Sequence, residues 1–442
     1  MSEKIMYINA PEFEKEVLQG DKVIVDFYST ECPPCEALAH KYEELAELFG
    51  DKIKFIKIMR QDNRELAVSL GVTSSPTVLF YDKGKLVGDI LRGGIKRSEL
   101  IKNISLLIGE EEVKTTLNKI QKRSTECDVL ILGGGPGGLT AAIYSAQAKL
   151  KTIVVDKELT GGQVKTTHMV WNYPGFPEPI PGYMLMHYMF EQAEKAGAEF
   201  RQAVDVSSVD LINKVVVVDD VETIKAKKII ISTGSSPRVI GVKGEKEYKG
   251  QGISYCATCD AKFYEGKKVV VIGGGNSAIE ESLFIAKFAD EITIVHQFDK
   301  LQANKMAQEK AFANPKIKFM FEHEPREFIK EGQSVNKVVV EDLKTKELKT
   351  IETDGVFIFA GMVPNLELFK DKFELDNWGY IKTDNFQRTS IKDVFAVGDV
   401  ASKPYRQITV AVAEGTVAAI QAAKEIEEET KLEDNVENKI SA

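Results

Sequence analysis

Residues 128–132 are an apolar strand that runs straight into Gly133-Gly134-Gly135-Pro136-Gly137-Gly138, and residues 139–148 follow with a helical pattern. A strand, a glycine turn and a helix in that order leave few folds open. Gly133 makes the tight turn, Gly135 lets a pyrophosphate approach the backbone, with Pro136 beside it as a further cofactor-binding candidate, and Gly138 allows the helix to pack closely. A second strand at 152–155 ends at Asp156, placed to accept a ribose hydroxyl. The arrangement is repeated downstream. Residues 267–272 enter Gly273-Gly274-Gly275-Asn276-Ser277-Ala278, a helix spans 279–288, and a strand spans 291–295. Two such units predict an α/β chain with two Rossmann-like, dinucleotide-binding domains.

The cysteines supply the second constraint. Of five, four fall in two C-x-x-C pairs, Cys32-Pro33-Pro34-Cys35 and Cys256-Ala257-Thr258-Cys259, and Asp260 follows the second pair directly. Such a pair closes a small reducible disulfide, and a helix start lowers the thiol pKa. Asp260 stands where a carboxyl can give and take a proton beside a thiolate or a reduced cofactor. A four-thiolate zinc site is the competing use. The pairs lie roughly 220 residues apart and each has its own redox companion, so that use is set aside. The five histidines show no metal-ligand spacing, and Cys127, at the head of an apolar strand, reads as a buried small residue. A formal net charge of -9 argues against nucleic acid or an anionic membrane as partner. No apolar run approaches the ~20 residues that span a bilayer. The N-terminus lacks a secretory layout, so a reducing cytoplasm is expected, where C-x-x-C pairs are catalytic more often than structural.

The first 108 residues resemble thioredoxin over their whole length. The residues that carry the resemblance are Asp26 on a central strand, the pair Cys32 and Cys35 at a strand-to-helix junction, and Pro76, where that family has a cis-proline facing the disulfide. The resemblance implies that Cys32 is the exposed nucleophile, that Cys35 resolves it, and that Asp26 is a buried proton relay beneath Cys35. Two departures stand out. Glu31 replaces the family's tryptophan and Pro33 its glycine. A carboxylate beside Cys32 disfavours the thiolate, so an altered potential and partner set are expected.

Gly161-Gly162-Gln163, Asn172-Tyr173-Pro174-Gly175, Thr233-Gly234-Ser235 and Ala396-Val397-Gly398-Asp399 together resemble the FAD-binding pattern of the low-molecular-weight thioredoxin reductases. That resemblance covers roughly 126–426 and implies FAD and a nicotinamide dinucleotide, NAD(P)H, as cofactors. Cofactor contacts carry over to Gly162, Gln163, Asn172, Thr233, Gly234 and Gly398. Asp399 would contact the ribityl and pyrophosphate region, and Arg406 and Gln407 would sit by the isoalloxazine ring. The same mapping makes Cys259 the sulfur near the flavin, Cys256 the sulfur that attacks the outside disulfide, and Asp260 the general acid and base. It also implies a homodimer, and a rotation between the nucleotide-binding domains with 235–238 and 362–365 as hinges.

One departure bears on the electron donor. NADPH-using relatives carry arginines after the histidine that here is His296, yet this chain reads Gln297-Phe298-Asp299-Lys300-Leu301-Gln302. Each hydrogen bond to a charged phosphate is worth ~1.5–3 kcal/mol, so the change weakens NADPH. The donor stays open between NADPH, NADH and ferredoxin, although the intact turn from Gly273 to Ala278 favours a bound dinucleotide. The expected layout is a thioredoxin-like domain at 1–108, a charged linker at 109–125, and an FAD-binding domain at 126–236 and 366–426. A pyridine-nucleotide domain carrying the redox disulfide interrupts it at 237–365, and a frayed acidic tail closes the chain at 427–442. The expected activity is thioredoxin-disulfide reduction by a chain fused to its own thioredoxin, with external thioredoxin-like proteins, protein disulfides or a peroxiredoxin as acceptors. A peroxiredoxin-reducing flavoprotein and a flavin-bound redox sensor are the alternatives.

Overall fold

A computed structural model describes residues 4–167, 169–170, 172–369 and 372–440, without the side chains of 258, 259 and 433–440. Five strands form the first sheet: β1 (Ile5–Tyr7), β2 (Lys22–Tyr28), β3 (Lys54–Met59), β4 (Thr77–Asp82) and β5 (Lys85–Arg92), in the order β1-β3-β2-β4-β5. β2 lies at the centre, parallel to β3 and antiparallel to β4. It is apolar through Val23, Ile24, Val25 and Phe27 because both faces of the sheet are covered, and Asp26 is the exception. On one face pack α1 (Pro33–Phe49), through Leu38, Tyr42, Leu45 and Phe49, and α2 (Arg97–Ile108), through Leu100, Ile104 and Leu107. Residues expected as linker instead form α3 (Glu110–Leu117), whose Val113 is buried in that same core.

The next sheet is built on β6 (Arg123–Leu132), followed by α4 (Pro136–Gln147), β7 (Thr152–Asp156), α5 (Gly182–Ala196) and β8 (Glu199–Gln202). Three further strands, β9 (Val206–Asp210), β10 (Val215–Val218) and β11 (Glu222–Ile231), complete the order β8-β7-β6-β11-β10-β9. β6 and β11 run parallel over nine paired positions, and this long pairing is the spine of the sheet.

The chain then leaves this sheet and builds another from the two-residue strand Ile253–Ser254, β12 (Lys268–Ile272), α6 (Asn276–Ile285), β13 (Glu291–His296), β14 (Ile317–Phe321) and β15 (Gly355–Ile358). All its neighbours are parallel. It returns through β16 (Val394–Ala396), which pairs with the upper end of β11, and finishes in α7 (Ile408–Ile440). The acidic segment expected to fray is therefore helical as far as Ile440. The two crossings between the second and third sheets meet as a ribbon, Ser235–Pro237 paired antiparallel with Met362–Pro364.

Among the described residues no helix is long and apolar enough to cross a membrane. Nor do they include a group of three or more His, Cys, Asp or Glu side chains that could hold a metal ion.

Candidate active site

The glycine turn after β6 is set by backbone geometry. Gly133 has φ +106°, a region closed to residues with a Cβ, and a Cβ on Gly138 would collide with the Gly133 carbonyl, so the helix can sit directly under the turn. Above the turn opens a cavity of about 620 Å³, within the range of small-molecule and cofactor sites. Gly133, Gly135, Pro136, Asp156, Gly162, Gln163, Asn172, Thr233, Gly234, Gly398, Asp399, Arg406 and Gln407 all line it. Gly138 does not; its place is beneath.

Asp156 is held by two backbone donors, Gly134 N to Oδ2 (2.8 Å) and Glu158 N to Oδ1 (2.9 Å), while burial pushes its carboxyl up. Burial also raises Asp399, opposed by Lys403 and Arg406. The Arg406 guanidinium stacks 3.7 Å from the centre of the Tyr380 ring, and its buried Nε has no protein partner. Asn172 Nδ2 donates to Gln407 Oε1 (3.2 Å), which joins the loop after β7 to the start of α7.

Two features fit this cavity to FAD. The turns at Gly135 and Gly162 face each other so closely that a Cβ on Gly162 would stand 3.2 Å from the Gly135 Cα, a cradle that side chains would fill. The orphaned Arg406 Nε and Ser235 Oγ, both buried and both in the lining, are polar atoms that a polar ligand satisfies.

Cys256 is disulfide-bonded, and its Sγ lies 4.0 Å from the carbonyl oxygen of Thr166, a residue of the cavity wall. Its own N–H donates to Ser254 Oγ (3.1 Å). Residues 257–260 form one helical turn, and Asp260 N donates to the Cys256 carbonyl (3.3 Å). The Cys259 side chain lies outside the described residues.

At the second glycine turn, Gly273 has φ +135° and Gly275 faces open space. His296 is buried, its ring lies directly over Gly274, its Nε2 meets the Lys300 carbonyl at 3.2 Å, and burial lowers its pKa. The loop after it folds back, with Gln302 N donating to the Gly274 carbonyl (2.8 Å). Asn276 is turned toward the protein, its Oδ1 accepting from Asn304 N (2.7 Å). Ala278 is buried behind the turn and Ser277 is exposed beside it. Gln297, Phe298, Asp299 and Lys300 are exposed together.

In the first sheet, Cys32 and Cys35 form a disulfide, with Cys32 capping α1 and Cys35 buried. The Ser75–Pro76 peptide is cis, and Cys32 Sγ lies 3.6 Å from the Ser75 carbonyl oxygen. Asp26 is 1% exposed, one carboxylate oxygen 3.6 Å from Lys57 Nζ and the other without a partner. Burial outweighs Lys57 and lifts its carboxyl to about 6.

The sequence did not mark several residues that complete these sites. Lys96, on the loop before α2, lines the cofactor cavity together with Val204, Asp205 and Val206. Asn365, the last residue of the expected 362–365 hinge, locks the ribbon, donating from Nδ2 to the Thr233 carbonyl and accepting on Oδ1 from Ser236 Oγ. Arg60 Nε and Ser29 Oγ both donate to Ser75 Oγ beside the cis peptide. No motif flags Lys96, Val204, Asp205, Val206, Arg60 or Ser29; only the fold brings them to a site.

Residues 127–415 match the family described as Pyridine nucleotide-disulphide oxidoreductase, and residues 4–106 match Thioredoxin. A thioredoxin reductase of Peptoclostridium acidaminophilum is 45% identical over 313 residues, which cover 68% of this chain and 97% of that protein. One of Bacillus subtilis (strain 168) is 41% identical over 301 residues, covering 68% and 95%. Among solved structures, Lactococcus lactis thioredoxin reductase in its FR conformation aligns with a TM-score of 0.63 at 39% identity, covering 68% of this chain and 99% of that one. The T. acidophilum thioredoxin reductase aligns at 0.61 and 36%, covering 68% and 98%.

Proposed function

The chain belongs to the pyridine nucleotide-disulphide oxidoreductase family, and we propose that within it the chain is an FAD-dependent thioredoxin-disulfide reductase joined to its own thioredoxin. The observation that carries the reading is the position of Cys256, a disulfide-bonded sulfur 4.0 Å from a wall residue of the cavity that fits FAD. When bound, FAD supplies two-electron transfer between a reduced nicotinamide and a cystine.

The chain's own residues do the rest. With the Cys256–Cys259 pair reduced, Asp260 holds or releases the accompanying proton. The Cys256 thiolate attacks Cys32, forming a mixed disulfide and expelling the Cys35 thiolate, which takes its proton from the buried Asp26 carboxyl. The Cys259 thiolate then attacks Cys256, restoring that disulfide and releasing Cys32. Two electrons have moved: Cys256 and Cys259 are again a disulfide, and the module carries the Cys32 thiolate and the protonated Cys35 thiol. Covalent tethering replaces diffusion with a high effective concentration of the acceptor.

Turning the disulfide from the cavity to the module requires the third sheet to rotate against the second. The paired crossings Ser235–Pro237 and Met362–Pro364 are the natural pivot, with Thr233, Ser236 and Asn365 as its fixed side. The reading extends to a homodimer working in the cytoplasm. Protein disulfides, external thioredoxin-like proteins or a peroxiredoxin are its final acceptors.

Cys32→Ser tests the relay. Bleaching of bound FAD by the donor is expected to be unchanged, and reduction of an external protein disulfide to disappear; onward transfer that survives refutes the order. Anaerobic mixing with NADH, NADPH and reduced ferredoxin, each in turn, identifies the donor by which one bleaches the flavin.

A further inference from the structure

The thioredoxin module is not merely leashed to the reductase. Lys41, on α1, is 9% exposed, and its ammonium donates to three carbonyls: Ile95 of its own module (3.1 Å), and Gln202 (2.9 Å) and Ala203 (2.6 Å) of the second sheet's β8 and the loop after it. Three acceptors satisfy all three N–H groups, which is what a buried ammonium requires. Lys96 Nζ pairs with Asp205 Oδ1 at 2.9 Å, and Ser98 Oγ donates to the other oxygen of Asp205. Arg123 Nη1 donates to His40 Nε2 at 3.0 Å. A Cβ on Gly94 would stand 3.0 Å from Leu159, so the module backbone is pressed against the reductase there.

The contacted segment is the one that walls the cofactor cavity. Val204, Asp205 and Val206 line it beside Asp156, Lys157 and Glu158, and Lys96 itself is part of the lining. The segment is tied to the cavity from below as well: Ala203 N donates to the Glu158 carbonyl (3.0 Å), and Val204 N to that of Asp156 (3.3 Å). Module, loop and cavity therefore form one hydrogen-bonded unit.

We infer that the thioredoxin module is a working part of the FAD site: docked through Lys41 and Lys96, it clamps the 202–206 wall over the cofactor, so that docking and FAD retention strengthen each other. The inference rests on FAD as the occupant of the cavity. The coupling is reciprocal, as any linkage between two binding events must be. It also sets the docked position against delivery. The docking loop touches the module's own redox site, since Gly93 N donates to the Pro76 carbonyl (3.2 Å) next to the cis peptide that faces Cys32. An outside disulfide that needs the 93–95 loop must first displace the reductase from it.

The experiment is FAD release from the full-length protein, followed by the rise in free-flavin fluorescence after dilution. Lys41→Met and the milder Lys96→Gln, at a half-buried position, are compared with the unmodified chain. Release is expected to quicken by about tenfold in Lys41→Met and by a smaller factor in Lys96→Gln, in line with losing hydrogen bonds to a charged group. Conversely, hydrogen exchange in the peptide spanning 199–206 is expected to slow when FAD is added to stripped protein, and to slow less in Lys96→Gln. If the unmodified chain takes up no FAD, the functional reading itself fails. If it binds FAD and the variants release it at the same rate with the same exchange protection, only the clamp is overturned. Should Lys41→Met misfold, Lys96→Gln and the exchange measurement decide the question.

Discussion

Asp26 offers a test of what burial does to the module's proton relay. Its carboxyl is 1% exposed, has one oxygen without a partner, and faces Lys57 at 3.6 Å. Burial disfavours the charged form and lifts the pKa from 3.8 to about 6. The sign follows directly. Below about pH 3 both folded and unfolded chains hold the proton; between about pH 3 and 6 the folded form holds more, so stability falls as pH rises. Above pH 6 the full cost is present. A rise of about two pH units at ~1.4 kcal/mol each makes that cost about 3 kcal/mol. Asp26→Asn removes it. The substitution also takes the carboxylate away from Lys57, leaving its ammonium beside the rings of Tyr28 and Tyr42. The assay is urea unfolding of the full chain read by pulse proteolysis, with fragments of the first 108 residues as the signal. The benefit of Asp26→Asn is expected to be greater at pH 8 than at pH 4 by about 2 kcal/mol, since a little of the cost is already present at pH 4. Equal effects at both pH values would refute the reasoning, since a carboxyl that titrates normally carries no such window. The same variant should slow the step in which Cys35 leaves, because an amide cannot give up a proton.

Other outcomes are open to measurement. Gln297→Arg with Phe298→Arg restores charge on the exposed loop after His296. The NADPH-over-NADH preference should rise by at least about tenfold, as one charge-assisted hydrogen bond implies; no change would mean that the loop does not face the ribose phosphate. Lys228 is fully buried among Asp393 (2.6 Å), Glu429 (2.8 Å) and Glu425 (3.4 Å). Lys228→Met leaves those carboxylates short of a cation, although Lys214 still serves Asp393 and Arg388 still serves Glu425. Urea unfolding should show a loss of about 2–3 kcal/mol, somewhat below the ~3–5 typical of a buried pair stripped of one partner.

The pattern of what the sequence revealed has a physical cause. Both glycine turns stand where the apolar runs placed them, because a strand, a turn and a helix are specified by neighbours within about fifteen residues. The Cys32 and Cys256 pairs were legible for the same reason: their chemistry lies in a spacing of three. What escaped was set at a distance. Lys41 falls beside Tyr42 on a helix whose apolar stripe is Leu38, Tyr42, Leu45 and Phe49, and that local pattern does not single it out. It is buried only because carbonyls 161 and 162 residues away close over it. Residues 110–117 read as linker from their composition, yet Val113, buried in the module core, and Leu117, packed against it, hold that helix to the module. The segment 427–442 reads as a fraying tail, but its Glu429, together with Glu425 just before it, is a counterion of Lys228, a fully buried lysine of β11. A buried cation two hundred residues earlier thus holds the first turn of a segment that composition argued would fray. Charge runs are poor guides to disorder wherever the fold has left a cation that needs them.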